Sequence, residues 1–172
     1  QYKISDGLVG SRVISLAQDK RGYIWLGTLT GLSRFDGMTF TNFTSSDKLI
    51  NLENDYIQNL TTIDDSLLLI ATLKGCLAVN IYNLKSQFFF VNDSTVFSDM
   101  VNSAWGFVKL NSGNYVMISK TGYYEFDKTG KLVCRRDYFD PKEKDNRGFH
   151  KKTLWNTKNL MELGNDRFAF YA

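Results

Sequence analysis

The chain has 172 residues, the length of a single domain, with 15% aromatic residues and one proline. Its formal net charge is only +3, and no run of 18 consecutive apolar residues occurs, so we expect no transmembrane helix. Bulky β-forming residues separated by Gly, Asn, Asp and Ser turns favour an all-β architecture.

A pattern of strand, tight turn and strand occurs three times, and each copy turns at a glycine. These glycines, Gly31, Gly75 and Gly122, are 44 and 47 residues apart. A small hydroxylated residue precedes each glycine by three positions: Thr28, Thr72 and Ser119. A period of about 40 to 50 residues with several short strands per unit is typical of β-propeller blades. The sequence therefore predicts an all-β fold made of four-stranded antiparallel blades.

The predicted strands follow one another in chain order, four to a blade. The first blade (8–47) has strands at Val13–Gln18, Tyr23–Gly27, Leu32–Phe35 and Thr39–Phe43. The second (54–93) has Ile57–Thr62, Leu67–Ala71, Cys76–Asn80 and Gln87–Val91. The third (102–140) has Ala104–Leu110, Tyr115–Ile118, Tyr123–Phe126 and Leu132–Tyr138. Asp, Asn, Ser and Gly residues between them suit hairpin turns.

The two ends of the chain differ from the complete blades. Residues 1–5 are expected to form an outermost strand of the kind that latches a propeller ring, and residues 154–172 supply two strands of a fourth blade. The whole chain, 1–172, then makes about three and a half blades of one propeller, whereas rings have roughly four to eight. Exposed apolar surface and unpaired strand edges would favour self-association, for example as a homodimer paired end to end.

The first blade resembles the two-component regulator propeller repeat. The residues that carry the resemblance include Asp6-Gly7-Leu8, Gly22-Tyr23-Ile24-Trp25-Leu26-Gly27-Thr28 and Gly31-Leu32-Ser33-Arg34-Phe35-Asp36-Gly37. The later copies keep the turn glycine but replace the tryptophan and the glycine that follows it, with Leu69 and Ala71 in the second and Val116 and Ile118 in the third. As a specific motif the resemblance covers residues 6–44.

This resemblance implies a sensory role without chemistry in this part of the chain. Repeats of that family form the N-terminal periplasmic sensor of hybrid two-component systems of Bacteroidetes, joined to a histidine kinase and a response regulator. The implied ligands are oligosaccharides from glycan breakdown, and no cofactor is implied. Because one fold hosts many functions, a polysaccharide-acting hydrolase or lyase is the alternative.

The motif residues are better explained by folding than by binding. Trp25, Leu26 and Phe35 are expected to pack between neighbouring blades, where aromatic side chains bury large areas. The glycines of the motif allow close backbone approach or a positive φ angle. The residues assigned to the structural motif are Trp25, Gly27, Thr28, Gly31, Phe35, Gly75 and Gly122.

Ligand contacts are expected on loops and strand edges, from aromatic and polar side chains. The candidates are Tyr56, Trp105, Arg147, His150 and Trp155. The segment from Lys142 to Lys158 contains six Lys or Arg residues and two acidic ones. It is either a solvated loop or a docking surface for an anionic partner. No nucleic-acid-binding motif accompanies them, so we expect no nucleic-acid partner.

Residues for catalysis or metal binding are few. His150 is the only histidine of the chain, which excludes a multi-histidine metal site. Asp64-Asp65 with Asp55 could mimic a glycosidase pair, but Asp is also an expected turn residue at positions 64 and 65. Cys76 and Cys134 fall on strands of different blades, and a disulfide requires their Cα atoms to lie within about 7 Å.

Overall fold

A computed structural model describes residues 2–92 and 98–137 in full, and residues 159–164 and 167–171 as backbone. These residues form three four-stranded antiparallel sheets and one two-stranded sheet. Within each four-stranded sheet, consecutive strands are neighbours, as in a propeller blade. The predicted all-β fold, a partial propeller of about three and a half blades, is confirmed.

The strand bounds are as follows. The first blade has β1 (Val13–Gln18), β2 (Ile24–Thr28), β3 (Gly31–Phe35) and β4 (Phe40–Phe43). The second has β5 (Ile57–Ile63), β6 (Leu67–Thr72), β7 (Gly75–Asn80) and β8 (Ser86–Phe89). The third has β9 (Ala104–Lys109), β10 (Tyr115–Ser119), β11 (Gly122–Phe126) and β12 (Leu132–Asp137). A hairpin of β13 (Asn159–Gly164) and β14 (Arg167–Tyr171) follows.

The first strand of each blade lies beside the first strand of the next, β1 beside β5 and β5 beside β9. These are the inner strands. Since the strands alternate in direction, every blade has two distinct ends. We call the end with the β2–β3, β6–β7 and β10–β11 turns, where the chain also enters each inner strand, the connection face. The other end is the opposite face.

The turn glycines of the three blades meet the same steric constraint. A Cβ atom on Gly31 would lie 2.9 Å from the carbonyl oxygen of Phe43, and one on Gly75 would lie 2.6 Å from that of Phe89. A Cβ on Gly122 would collide with the carbonyl oxygen of Arg136. Gly31 and Gly75 also have φ angles of +138° and +133°, which favour glycine. Each glycine thus lets the third strand of its blade approach the fourth.

The hydroxylated residues of the repeat close these same turns. The Thr28 hydroxyl donates to the Gly31 carbonyl at 2.9 Å and accepts from the N–H group of Thr30 at 3.1 Å. Thr72 makes the same two contacts at the same distances, to Gly75 and from Lys74. Ser119 keeps only the second type, accepting from the Thr121 N–H at 3.1 Å. Their role is structural, because buried hydroxyls need partners.

Successive blades pack face to face through six positions that recur in each repeat. We call these six positions the leading face of a blade. In the second blade they are Ile57, Leu60, Leu68, Ile70, Leu77 and Val79, packed in one core with Trp25, Leu32 and Phe43 of the first. In the third they are Ala104, Phe107, Tyr115, Met117, Tyr124 and Phe126, packed with Leu69, Cys76 and Phe89 of the second.

Gly27 is explained by this packing between the first two blades. A Cβ atom at Gly27 would lie 2.5 Å from a side-chain carbon of Ile57 and 3.4 Å from one of Leu60. The glycine therefore lets the inner strand of the second blade lie directly against β2 of the first. Burial of aliphatic surface at such an interface stabilises the fold by about 25 cal/mol per Å².

The leading face of the first blade differs, because no described blade packs against it. Leu16 is 61% exposed and Val13 40% exposed, whereas Leu26 is half-buried. Phe35 is buried, but its ring contacts Tyr2 at 4.8 Å and Phe40 at 4.7 Å between centroids. The prediction that Trp25 packs between blades is confirmed. For Leu26 and Phe35 it stays a prediction, since both lie on the face that no described blade covers.

Residues 2–5 do not form the expected latching strand. Ile4–Asp6 is a short 3₁₀-helix that ends at Gly7, whose φ is +105°. The Asp6 carboxylate accepts from the backbone N–H of Lys3 at 2.7 Å. An Asp that caps a turn followed by a glycine with positive φ favours a helical turn over an extended strand. A second short helix, α1 (Ser98–Asn102), was also not predicted.

Trp25 is the largest fully buried side chain, and it brings a polar requirement with it. Its indole N–H donates to Asp19 at 2.8 Å, and the other carboxyl oxygen of Asp19 accepts from the N–H groups of Arg21 and Tyr23. Asp19 is itself 5% exposed. At the equivalent positions of the later blades both residues are apolar: Ile63 and Leu69 in the second, and Leu110 and Val116 in the third. A buried indole N–H needs an acceptor, so the aspartate and the tryptophan occur together in the first blade and are both replaced in the other two.

Both cysteines are free, Cys76 buried in β7 and Cys134 half-buried in β12. Burial raises the pKa of the Cys76 thiol well above its usual value, so this side chain behaves as a small core residue. Among the described residues, no helix is long and apolar enough to span a bilayer.

We predict that Gly75→Ala lowers the free energy of unfolding by about 2–4 kcal/mol, because it adds both a left-handed strain and a carbonyl contact. The matched control is Gly113→Ala, where φ is +89° but no atom lies within 4 Å of the added Cβ. That control should cost only about 1–2 kcal/mol. Urea denaturation measures both, and equal losses would contradict the steric account of the turn.

A double-mutant cycle tests the Asp19–Trp25 pair. Asp19→Ile alone leaves the buried indole N–H without an acceptor, at a cost of about 1–3 kcal/mol. Adding Trp25→Leu, as in the second blade, removes that unpaired donor. The double variant should therefore be more stable than the sum of the single losses by about 1 kcal/mol or more, measured by chemical denaturation. Strict additivity would show that the hydrogen bond is dispensable.

The uncovered leading face predicts that this chain self-associates. Leu16→Lys should raise the monomer fraction measured by light scattering at several concentrations, because it places a charge on the apolar face. Leu49→Lys is the matched control, since Leu49 is equally exposed at 61% but lies between blades one and two. A monomeric wild-type chain at all concentrations would contradict the prediction.

Candidate functional site

A β-bulge interrupts the inner strand of every blade at the same repeat position. The pairing register shifts between Val13 and Ser15, between Ile57 and Asn59, and opposite Ile118 and Ser119. The extra residues are Ile14, Gln58 and Trp105, each seventeen positions before its turn glycine. Bulges re-aim side chains and are common beside functional sites. All three lie where the inner strands begin, at the connection face.

Trp105 is the aromatic member of this set. It is half-buried, so part of its indole ring is accessible at the connection face. The ammonium group of Lys120, in the β10–β11 turn, lies 5.7 Å from the centre of that ring. This is within the range of a cation–π interaction. The half-buried indole and the ammonium group over it place an apolar ring and a positive charge at one point of this face.

Polar side chains connect the second and third blades at the same place. The side-chain amide of Asn59 donates to the carbonyl of Trp105 at 3.2 Å, and that of Gln58 donates to the Ser103 hydroxyl at 3.4 Å. The Ser15 hydroxyl donates to Asn59 at 3.4 Å, which links the first blade as well. Trp105 is thereby fixed to blade two through its backbone, and its position depends on the packing of the blades.

Tyr56 lies at the entrance to β5 on the same face and is half-buried. Its backbone N–H donates to the Asn54 side chain at 3.0 Å. The neighbouring carboxylate, Asp55, accepts from the Ser45 N–H at 2.6 Å and from the Ser45 hydroxyl at 3.0 Å. Asp55 therefore holds the connection between the first two blades.

Two of the five predicted ligand residues, Tyr56 and Trp105, thus lie on the same face, on consecutive blades. Arg147, His150 and Trp155 lie outside the described residues. Gln58 and Lys120 are not among the residues predicted from the sequence, although Lys120 lies over the Trp105 ring and Gln58 occupies the same repeat position one blade earlier. Aligning the three copies at their turn glycines would have selected both, because these positions change in chemical type from blade to blade.

The opposite face contains a cleft of about 290 Å³ between the first two blades. Its three acidic lining residues already have partners: Asp19 accepts from the Trp25 indole, Asp65 pairs with Lys20 at 3.4 Å, and Asp64 pairs with Lys109 of the third blade at 2.5 Å. The hydrogen bond with Asp64 raises the pKa of Lys109 above its usual value. Asp64 and Asp65 have φ angles of +50° and +47° and form the β5–β6 turn. The Asp65–Lys20 and Asp64–Lys109 pairs therefore connect the second blade to the first and the third.

The carboxylates considered for a glycosidase pair are far apart. Asp55 precedes β5 at the connection face, whereas Asp64 and Asp65 follow the same strand at the opposite face. The seven residues of β5 span roughly 20 Å. Glycosidase carboxylates lie about 5–9.5 Å apart, so Asp55 cannot act with either turn residue on one glycosidic bond. In the described part of the chain, no group of three or more His, Cys, Asp or Glu residues could hold a metal ion.

Comparison with known proteins bears on the first blade most directly. Residues 7–30 match the family model of the two component regulator propeller. A histidine kinase of Formosa agariphila is 57% identical over 35 residues, which is 20% of this chain and 3% of that kinase. The chain therefore spans a small part of this relative.

Solved structures extend the similarity to most of the chain. The extracellular domain assigned to a hybrid two component system of B. thetaiotaomicron aligns with a TM-score of 0.63 at 22% identity. The match covers 78% of this chain and 19% of that one. The extracellular domain assigned to a one component system of the same organism gives 0.62 at 18% identity, with 84% and 23% covered. At these identities the likeness establishes the fold.

The motif and the fold therefore agree. The chain forms part of a β-propeller, and residues 7–30, at the start of its first blade, match the two component regulator propeller.

Proposed function

We propose that this chain is the ligand-sensing part of the extracytoplasmic region of a hybrid two-component system, with no catalytic activity of its own. The regulator-type repeat in the first blade and the fold shared with extracellular domains of such systems support the proposal. The similarity of one segment to a histidine kinase supports a kinase as the parent protein. A periplasmic location for this region follows from the same proposal.

The ligand that suits the connection face best is an oligosaccharide. Trp105 is the main support for this ligand class, because a β-bulge holds it half-buried at the start of an inner strand. Aromatic side chains offer an apolar face with a polar rim, which matches the apolar face and polar edge of a sugar ring. Gln58 and Tyr56, both half-buried on the same face, add hydrogen-bonding groups.

The alternative, a polysaccharide-acting enzyme, gains no support from the carboxylates. Asp64 and Asp65 are paired with lysines, and Asp55 with Ser45. A binding module needs none of these groups to be free. Binding without turnover is therefore the behaviour expected of this chain.

We expect Trp105→Ala to weaken oligosaccharide binding by roughly tenfold or more, because a stacked, partly desolvated aromatic contributes on the order of 1–3 kcal/mol. Calorimetry with a panel of oligosaccharides measures the affinity. Tyr82→Ala is the control, since Tyr82 is a 58% exposed aromatic in the β7–β8 turn at the opposite face. Equal affinities for the wild type and the Trp105 variant would contradict the proposed site, and released sugar fragments would contradict the non-catalytic role.

A further inference from the structure

The three blades can be compared position by position where the inner strand and the turn before the glycine meet. At the bulge, seventeen residues before the turn glycine, they carry Ile14, Gln58 and Trp105. Two residues before the glycine they carry Leu29, Leu73 and Lys120. The first blade is thus aliphatic at both positions, and only the third combines an aromatic ring with a charge.

These two positions are not required by the repeat. The turn glycine and the hydroxylated residue before it keep their type in all three blades, and the leading face is apolar throughout in the second and third. The change at Trp105 and Lys120 affects two side chains that contact each other, with the ammonium 5.7 Å from the ring centre. Two adjacent changes at positions that the fold leaves free indicate a local role at this face.

The charge of Lys120 is available to a ligand. Lys120 is exposed, and no carboxylate of the described residues forms an ion pair with it, unlike Lys20 and Lys109. Asp55, the carboxylate next to Tyr56, is bonded to the Ser45 N–H and hydroxyl and forms no ion pair with Lys120 in the described part of the chain. A second lysine, Lys74, is exposed in the equivalent turn of the neighbouring blade. Lys120 and Lys74 therefore place positive charge in two neighbouring turns of the described connection face. Asp137, the carboxylate at the end of β12 on this face, is paired with Arg135 and bonded to Tyr124.

We infer that the ligand of this face is an anionic oligosaccharide, with a carboxylate or sulfate group bound by Lys120 and a sugar ring stacked on Trp105. This inference rests on the proposed function, because it specifies the ligand class of the same site. A charged hydrogen bond from an ammonium to a carboxylate or sulfate is stronger than a neutral one. The cation next to the indole then selects sugars that carry an acidic group beside an apolar ring face.

The test uses pairs of probes that share a sugar skeleton and differ in charge. Oligogalacturonate is compared with its methyl ester, and dextran sulfate fragments with dextran fragments. We expect the charged member of at least one pair to bind more tightly and to lose affinity as salt is raised, because added salt screens exposed charges. Lys120→Gln should weaken that binding about tenfold, as expected for loss of one hydrogen bond between charged groups.

Matched variants separate this role from a general effect of charge. Lys120→Arg keeps the positive charge and should retain most of the affinity. Lys128→Gln removes an exposed lysine of the same blade from the β11–β12 turn at the opposite face, and it should leave binding unchanged. Far-ultraviolet circular dichroism confirms that each variant keeps its β structure.

The possible failures are distinguishable. If neutral and charged probes bind equally, lose affinity with Trp105→Ala and ignore Lys120→Gln, the anionic ligand class is wrong and the proposed function stands. If no probe binds in a manner that depends on Trp105, the proposed site itself is wrong. If Lys128→Gln weakens binding as much as Lys120→Gln does, the attraction is a diffuse effect of net charge and the inference is overturned.

Discussion

Face-to-face packing of successive blades is the constraint on which the rest of this structure depends. Each blade is a twisted four-stranded sheet with two apolar faces, and neither face is buried within the blade itself. Six positions per repeat form one of these faces, and in the second and third blades they lie in the cores shared with the preceding blade. Gly27 and the three turn glycines keep strands close enough for that packing, so their loss would disturb the cores as well as the turns.

The same interface can be built with different side chains, provided that their polar requirements are met. The first interface uses Trp25, whose N–H is satisfied by a buried Asp19, and Arg34 lies 5.5 Å above its ring. The second sets Leu69, Cys76 and Phe89 of the second blade against a mostly aromatic face of the third, whose Phe107 and Tyr115 contact Phe89. In the first interface, aromatic side chains of the first blade face aliphatic ones of the second. In the second interface, most of the aromatic side chains belong to the following blade. The larger side chains can thus come from either side of the interface while close packing is kept.

Much of the fold could be predicted because it is encoded locally. Strand alternation, turn residues and the spacing of the glycines depend on short-range sterics, and the twelve strands of the complete blades agree with their predicted bounds to within two residues at each end. The failures concern context. The 3₁₀-helix at Ile4–Asp6 overlaps the strand predicted for residues 1–5. The cap formed by Asp6 and Gly7 determines its conformation. Helix α1 has only five residues, too few for a helical period to be recognised, and its Asn102 side chain is bonded to the backbone of Val91.

The candidate site was harder to predict, since its residues come together only when strands pair within a blade and neighbouring blades pack. Trp105 and Lys120 are fifteen positions apart in the sequence, and the bulge that makes Trp105 an extra residue is visible only in the register of β9 against β10. Residue type and a loop or strand-edge position selected Trp105 and Tyr56, but they could not select Gln58, whose relevance comes from its repeat position. In a repeat protein the fold fixes the positions that every copy shares. The positions where the copies differ, at the end of the blade where chain segments enter, are the ones free to acquire a ligand.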